Sequence, residues 1–438
     1  MSSSPGHCHP DHSDRSSDVN SDVDSDVDSD VGSDADSETS TVEYSHEPFD
    51  TYQNRVRELL CVLYGSNAGR VAEISRLSGG GFNRIIGVTL LLDGHRKHFI
   101  LRVPRFDNVN VSAQVCILRS LRPFFPVPEV ESYDSGTDNS LEGPYILMHR
   151  LPGQSLYDIL EELDIDERCD MAKQIAQLIA KIHSFALPPG VGPLYGDTEG
   201  NLRVGRSPTS PPWSEDKKII EDLNDAGGRV LIPMTFSEFV TTRLAEFSAD
   251  ALRAGSGQEF KVKLYDQLLH ASNILLRTFT LSDRIALFHR DLAPRNILVD
   301  RNGEGGSWTV TGVLDWDDCE AAPYEIAGVW PGWLWQSRGE VEMDFEENEW
   351  DPDIPVTNEE SKRIKQVFVK EIEELEPGFQ EMARRTRDNC LRQLYERARG
   401  GIWSTQHIKE VERVVAVAQG LTQADEAAKN MRSTTVEA

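Results

Sequence analysis

The chain has 438 residues, 39% of them hydrophobic, with 45 Lys and Arg against 73 Asp and Glu and a formal charge of -28. At roughly 150 residues per domain, that length suits two domains or one large two-lobed fold. The acidity repels phosphate backbones and anionic lipid, and no apolar run approaches the ~20 residues of a membrane span, so nucleic-acid binding and membrane insertion are excluded as expectations.

Acidity is concentrated at the start, where residues 1–50 carry 14 acidic side chains against a single arginine. Asp18 to Asp36 repeats Ser-Asp-Val-Asp with almost no large apolar side chain. Such a segment cannot bury enough surface to offset its ordering entropy, so residues 1–47 are predicted to be a disordered tail, solubilising or open to a protein partner. His7, Cys8, His9 and His12 lie in that tail with nothing to orient them, and are not read as a metal centre. The six cysteines are scattered and form no CxxC pair, and no secretory signal opens the chain. A cytoplasmic protein with reduced thiols is the expectation.

Order is predicted from about residue 48. Arg55 to Tyr64 has Val56, Leu59, Leu60 and Leu63 on one helical face. Three consecutive glycines follow, then the apolar run Ile85–Leu92, an Asp93-Gly94 turn and a strand over His98–Val103, which together read as a hairpin. Val111–Leu121 reads as a helix and Tyr145–His149 as a strand, before the breaker Leu151-Pro152-Gly153. Beyond it the pattern is helical. Met171, Ile175, Leu178, Ile179 and Ile182 share a face, Ser207–Asp225 reads as a loop, and Phe236–Leu252 and Val262–Leu276 as helices. Ala286–Asp317 should hold two short strands around the turn at Asn302–Gly306, with helix to about residue 428 and frayed residues 429–438. The fold class is therefore α+β, with a β-rich part over 48–150 and a mainly helical part over 151–428.

The chemistry is concentrated in His289-Arg290-Asp291-Leu292-Ala293-Pro294-Arg295-Asn296, followed nineteen residues after Asn296 by Asp315-Trp316-Asp317. Phosphoryl transfer needs one carboxylate to orient the attacking hydroxyl and oxygen ligands for magnesium near the phosphates. Asp291 fits the first need, and Asn296 with Asp315 the second, if the intervening turn pairs their strands.

In these motifs the chain resembles the aminoglycoside phosphotransferase and choline-kinase-like branch of the protein-kinase-like fold, over residues about 50 to 425. The resemblance implies a small β-rich N-lobe, a larger helical C-lobe, and ATP and Mg2+ as cofactors. It implies Asp291 as catalytic base or hydroxyl-orienting residue, His289 as buttress of the loop, and Asn296 and Asp315 as metal ligands, with Asp317 either a further ligand or a tie. Ser78-Gly79-Gly80-Gly81-Phe82-Asn83 occupies the place of the phosphate-covering loop, and the backbone of His149 and Leu151 that of the adenine-binding linker. Two positions depart from the family pattern. Arg102 stands where a phosphate-binding Lys is usual, and Gln114 where its Glu partner is expected.

His289-Arg290-Asp291 also fits a protein-kinase loop, but the second motif is Asp-Trp-Asp, the Gly-rich loop lacks Gly-x-Gly-x-x-Gly, and Ala322-Pro323-Tyr324-Glu325 comes too soon to leave an activation loop. The expected acceptor is a hydroxyl of a small molecule. Trp330, Trp333 and Trp335 with the acidic run Glu340–Asp353 could favour a cationic one, although core packing explains the tryptophans more simply. A catalytically weak, nucleotide-binding relative is the alternative, on the evidence of Arg102 and Gln114.

Overall fold

The computed structural model describes residues 47–65, 71–77, 82–106, 109–197, 199–205, 234–303, 305–335, 356, 358–388 and 390–436. The acidic tail up to residue 46, Gly79 to Gly81, the predicted loop Ser207–Asp225 and the acidic run Glu340–Asp353 lie outside them.

Helix α1 (Phe49–Tyr64) starts before the expected Arg55, because its buried face of Val56, Leu59 and Leu60 extends back to Tyr52. Among the described residues, β1 (Val71–Arg76), β2 (Asn83–Leu92), β3 (His95–Pro104), β4 (Val130–Asp134) and β5 (Tyr145–His149) form an antiparallel sheet in the order β1-β2-β3-β5-β4. The hairpin β2–β3 turns at Asp93 and Gly94, at φ 51° and 80°, as a two-residue turn between twisted strands requires. The strands β1 and β4 are additions to the sequence reading. Both are edges, both carry a register shift, and neither fully buries a side chain, so no hydrophobic run announces them. Phe99, Leu101 and Val103 of β3 pack in the cluster that includes α1. Alternation then turns Ile100 and Arg102 to the other face, where helix α2 (Val111–Leu121) packs on β5 through Val115, Ile146 and Met148.

The chain leaves the sheet at Gly153, whose φ of 98° suits glycine, and where a Cβ would stand 2.5 Å from the Val299 carbonyl oxygen. Short β6 (Gln154–Ser155) and the single turn α3 (Leu156–Ile159) lead into α4 (Ile165–His183). That helix opens on a capping box between Asp164 and Glu167 and buries the five residues its spacing marks. Then come β7 (Gly192–Gly196), β8 (Leu202–Val204), α5 (Phe236–Ala254) and α6 (Glu259–Thr278). Next comes β9 (Ile285–Phe288) as a further strand, and between Ala286 and Asp317, β10 (Ile297–Arg301) and β11 (Trp308–Val313) flank the turn as expected. Strand β12 (Glu320–Pro323) follows where helix was expected. Its Glu-Ala-Ala-Pro has little strand preference of its own, and pairing with β7 and β9 on its two sides imposes the conformation.

The remainder is α7 (Tyr324–Ala327), α8 (Glu359–Leu375), α9 (Phe379–Asp388), α10 (Leu391–Gly400) and α11 (Thr405–Val436), the last continuing through most of the segment expected to fray. Buried residues of this C-lobe fall into one cluster around α4, α8 and the tryptophans and another around α5, α6, α10 and α11. Strand β9 lies between them, with Leu287 in the first and Ala286 and Phe288 in the second. Each large apolar side chain so buried contributes about 1.5–3 kcal/mol, so the base of the loop that follows β9 is fixed from both sides. No helix among the described residues is long and apolar enough to cross a membrane. Cys61, Cys116, Cys169, Cys319 and Cys390 are all free thiols.

Candidate active site

Strand β9 runs directly into His289-Arg290-Asp291, and a 3-10 turn over Pro294–Asn296 returns the chain into β10. The Asn296 side-chain amide donates to the Asp291 carbonyl at 2.9 Å and to its carboxylate at 2.8 Å. Both neighbours are oxygens, so the amide nitrogen must face them and the Asn296 carbonyl oxygen points elsewhere. The other Asp291 carboxylate oxygen accepts from Arg295 at 2.6 Å. Ile297 pairs with Val313, and the Leu314 amide donates to the Asn296 carbonyl at 2.8 Å, which brings Asp315 alongside Asn296 as expected from the turn.

His289 is buried and bonds through Nε2 to the Leu314 carbonyl at 2.9 Å, so Nε2 is the donor. Burial holds its pKa below the ordinary imidazole value, although that carbonyl and the nearby aspartates oppose the shift. A neutral ring thus joins the two motif loops, packed edge-on against buried Trp316 with ring centroids 4.5 Å apart. Two non-glycine residues of the site sit in the left-handed region, Arg290 at φ 67° and Asp315 at φ 61°. Each costs on the order of 1 kcal/mol or more, sustained only where surrounding contacts over-determine the backbone.

Arg290 shows what over-determines it. Its guanidinium reaches Asp318 and, at 2.7 Å, Glu396 on α10. Arg399 on the same helix bonds Asp318 and Glu320, and the Tyr395 hydroxyl donates to Glu320. Burial would raise the Glu396 pKa, but Arg290 and Arg399 outweigh it and hold the carboxyl below its usual range. This network lay outside the sequence reading. Its one local signal was an Arg at the variable position of His-x-Asp, and Glu396 stands 106 residues further on.

On the sheet side, the Arg102 guanidinium makes a two-pronged contact with the Asp317 carboxylate, one prong at 2.7 Å, and lies 3.7 Å from Asp315. Burial lowers the Arg102 pKa and Asp315 opposes that. The expected counter-group, Gln114, is not its partner: the Gln114 side-chain oxygen is buried without a hydrogen bond. Of the predicted phosphate loop, Gly79, Gly80 and Gly81 fall outside the described residues. Phe82 is exposed, 6.0 Å from the Phe106 ring, and its carbonyl accepts from the Arg105 amide. Asn83 opens β2 opposite Pro104, with its side-chain oxygen buried and unbonded.

At the linker, the His149 amide already donates to the Glu129 carbonyl at 2.8 Å and so is not available to a ligand. Leu151 packs a methyl group over Gly312, where a Cβ would come within 2.8 Å of it. Trp330, Trp333 and Trp335 are at most 6% exposed; Trp330 packs against Trp335, Phe368 and Phe379, and Trp335 against Phe368. Core packing therefore accounts for them, and the cation over the Trp335 ring is the chain's own Lys365 ammonium, 5.9 Å from its centroid. Trp333 instead donates its indole N–H to the Leu292 carbonyl at 3.2 Å, anchoring the Asp291 loop.

Several known proteins resemble this chain. A subtelomeric hrmA-associated cluster protein of Aspergillus fumigatus is 32% identical over 174 residues, covering 38% of this chain and 30% of that protein. Clavilactone A biosynthesis cluster protein Y of Ampulloclitocybe clavipes is 28% identical over 218 residues, covering 48% of this chain and 49% of that protein. The chain therefore spans about half or less of these curated relatives. Among solved structures, an ADP-bound aminoglycoside phosphotransferase matches with 14% identity and a TM-score of 0.45, over 85% of this chain and 98% of its own. An ethanolamine kinase of Plasmodium vivax matches with 12% identity and a TM-score of 0.43, over 87% and 93%. Residues 74–346, well over half of the chain and including both motif loops, match the family described as Phosphotransferase enzyme family. The chain belongs to that phosphotransferase family.

Proposed function

We propose that the protein transfers the γ-phosphoryl group of ATP to a hydroxyl of a small molecule, with Mg2+ as cofactor. The observation that carries this reading is the convergence of Asp291, Asn296 and Asp315 through the Leu314–Asn296 backbone bond and the Asn296–Asp291 side-chain bond. Asp291 would orient the acceptor hydroxyl and take its proton as the oxygen–phosphorus bond forms. Arg102 would face the phosphates, and the amide of Leu151, which has no backbone partner among the described residues, would meet the adenine edge.

The donor set suits magnesium. Asn296 keeps its side-chain oxygen for a ligand, and Asp315 presents a half-exposed carboxylate beside it. Among the described residues no cluster of three or more His, Cys, Asp or Glu could hold a metal by itself, so nucleotide phosphates would have to complete the coordination. Bound there, Mg2+ would offset the negative charge of the transferring group.

A protein acceptor fits less well. Strand β12 begins at Glu320, three residues after Asp317, and leaves no room for an activation segment between them. The test is transfer of labelled γ-phosphate to a panel of hydroxyl compounds, with and without Mg2+. Mg2+-dependent labelling of a small alcohol is expected; labelling of protein alone would overturn the acceptor class. Bound at about 100 times its dissociation constant, ATP should add roughly 2.7 kcal/mol to stability.

A further inference from the structure

We infer that Asp317 is a positioning residue: it replaces the helix carboxylate of the family pattern as counter-ion to Arg102, and so latches the two lobes together at the nucleotide site. The latch rests on the functional reading above only for its effect on ATP. Arg102 stands on β3 in the sheet and Asp317 beyond the hinge, 215 residues away. The Arg102 side chain is 12% exposed, and a buried guanidinium without an opposite charge costs several kcal/mol, so its position depends on a carboxylate. Gln114 offers none, and its side-chain oxygen is left unbonded. Asp317 offers two oxygens to two guanidinium nitrogens, a match that a lysine, with its single ammonium, could not make.

The two departures from the family pattern thus have one physical explanation. When the counter-ion moves from the sheet-side helix to the far lobe, a forked cation becomes the better residue. The segment also separates the roles of its aspartates. Trp316 is 1% exposed and anchors the backbone between them, while Asp315, 3.7 Å from Arg102 against 2.7 Å for Asp317, keeps its carboxylate half exposed for the cation. In the usual arrangement the phosphate-binding cation is set within one lobe. Here its counter-ion comes from the other lobe, to which helix α2 is also joined through Ile117, Leu118 and Leu121 in a shared apolar cluster.

The test compares the parent with Asp317→Asn, Asp317→Glu and Asp315→Asn, using two readouts. The first is amide hydrogen exchange of residues 99–103 and 313–319 without nucleotide, which reads the latch whether or not the chain turns over ATP. The second is the KM for ATP against kcat. Asp317→Asn should speed exchange in both segments and raise the ATP KM by about ten- to a hundred-fold, the loss of a charged hydrogen-bonded pair, with a smaller change in kcat. Asp317→Glu keeps the charge and should recover part of both, and it carries the test should the Asn variant fail to fold. Unchanged exchange and ATP KM in Asp317→Asn would overturn the proposal. So would an altered Mg2+ requirement matching that of Asp315→Asn, because Asp317 would then be a metal ligand. A parent without turnover would refute the functional reading, while exchange would still judge the latch.

Discussion

The two sides of the candidate site are held by different means. On the C-lobe side, Asp291, Asn296 and Asp315 are fixed by neighbours: a strand between two cores, a backbone bond from Leu314, the buried His289 ring and the Trp333 indole. On the sheet side, Arg102 is fixed by the Asp317 carboxylate of the other lobe, with Asp315 3.7 Å away, and the His149 amide is already committed within the sheet. The side proposed to perform the proton transfer is over-determined. The side proposed to receive the nucleotide depends on how the lobes meet. The reacting groups are thus held by many contacts within one lobe, and the cation facing them by an ion pair that crosses between lobes.

The sharpest way to break this comparison is at Asp291. Replacement by Asn keeps the shape and the bond to Asn296 but removes the base, so turnover should fall by about 10²–10⁴-fold while ATP still raises the unfolding midpoint. If turnover persisted at the parent level, Asp291 would not be the base, and the rigid side of the site would have another purpose.

Next in size is the network behind the loop. Glu396→Gln removes one of the two carboxylates that bond the buried Arg290 guanidinium, leaving Asp318 in contact and Glu320 nearby, and should cost about 3 kcal/mol, read as a lower midpoint in urea or heat. The sign of the pH dependence is also set. Glu396 titrates lower in the folded chain than its ordinary 4.5, so its contribution is fully present above that value and is lost as pH falls through the depressed folded value. The Gln variant should lose less stability than the parent below about pH 4.5. Parallel acid-unfolding curves for the two proteins would show that Glu396 does not carry the effect.

How legible each side was follows from the same physics. Asp291, Asn296 and Asp315 were readable because their relation is local: a short turn pairs two apolar strands and fixes all three positions. Helix α2 and strand β5 matched their predicted limits, since both are strongly apolar and bounded by turn residues. The edge strands β1 and β4 left no such pattern, being bulged and half exposed. The carboxylate partners of Arg102 and Arg290 are brought in by tertiary folding from 215 and 106 residues away, and no spacing rule reaches them. The tail and the glycines 79–81 lie outside the described residues.

Two glycines sharpen the contrast between a local feature and one that bridges the lobes. Both have positive φ, 98° at Gly153 and 80° at Gly94, so alanine pays a similar backbone cost at either, about 1–2 kcal/mol. Their surroundings differ. A Cβ at Gly153 would stand 2.5 Å from the Val299 carbonyl oxygen, whereas at Gly94 it would meet nothing within 4 Å. Gly153→Ala must therefore push the hinge away from β10 in addition to straining it. It should destabilise more than Gly94→Ala and also raise the ATP KM, because the lobes could no longer meet squarely. Gly94→Ala strains only the hairpin tip and should lower the unfolding midpoint by a few degrees with the ATP KM unchanged, about 4–8 °C per kcal/mol in a small domain and less in a chain this long. Equal losses in the two variants would mean that backbone conformation alone decides, and that contact at the hinge contributes nothing to how the lobes are set.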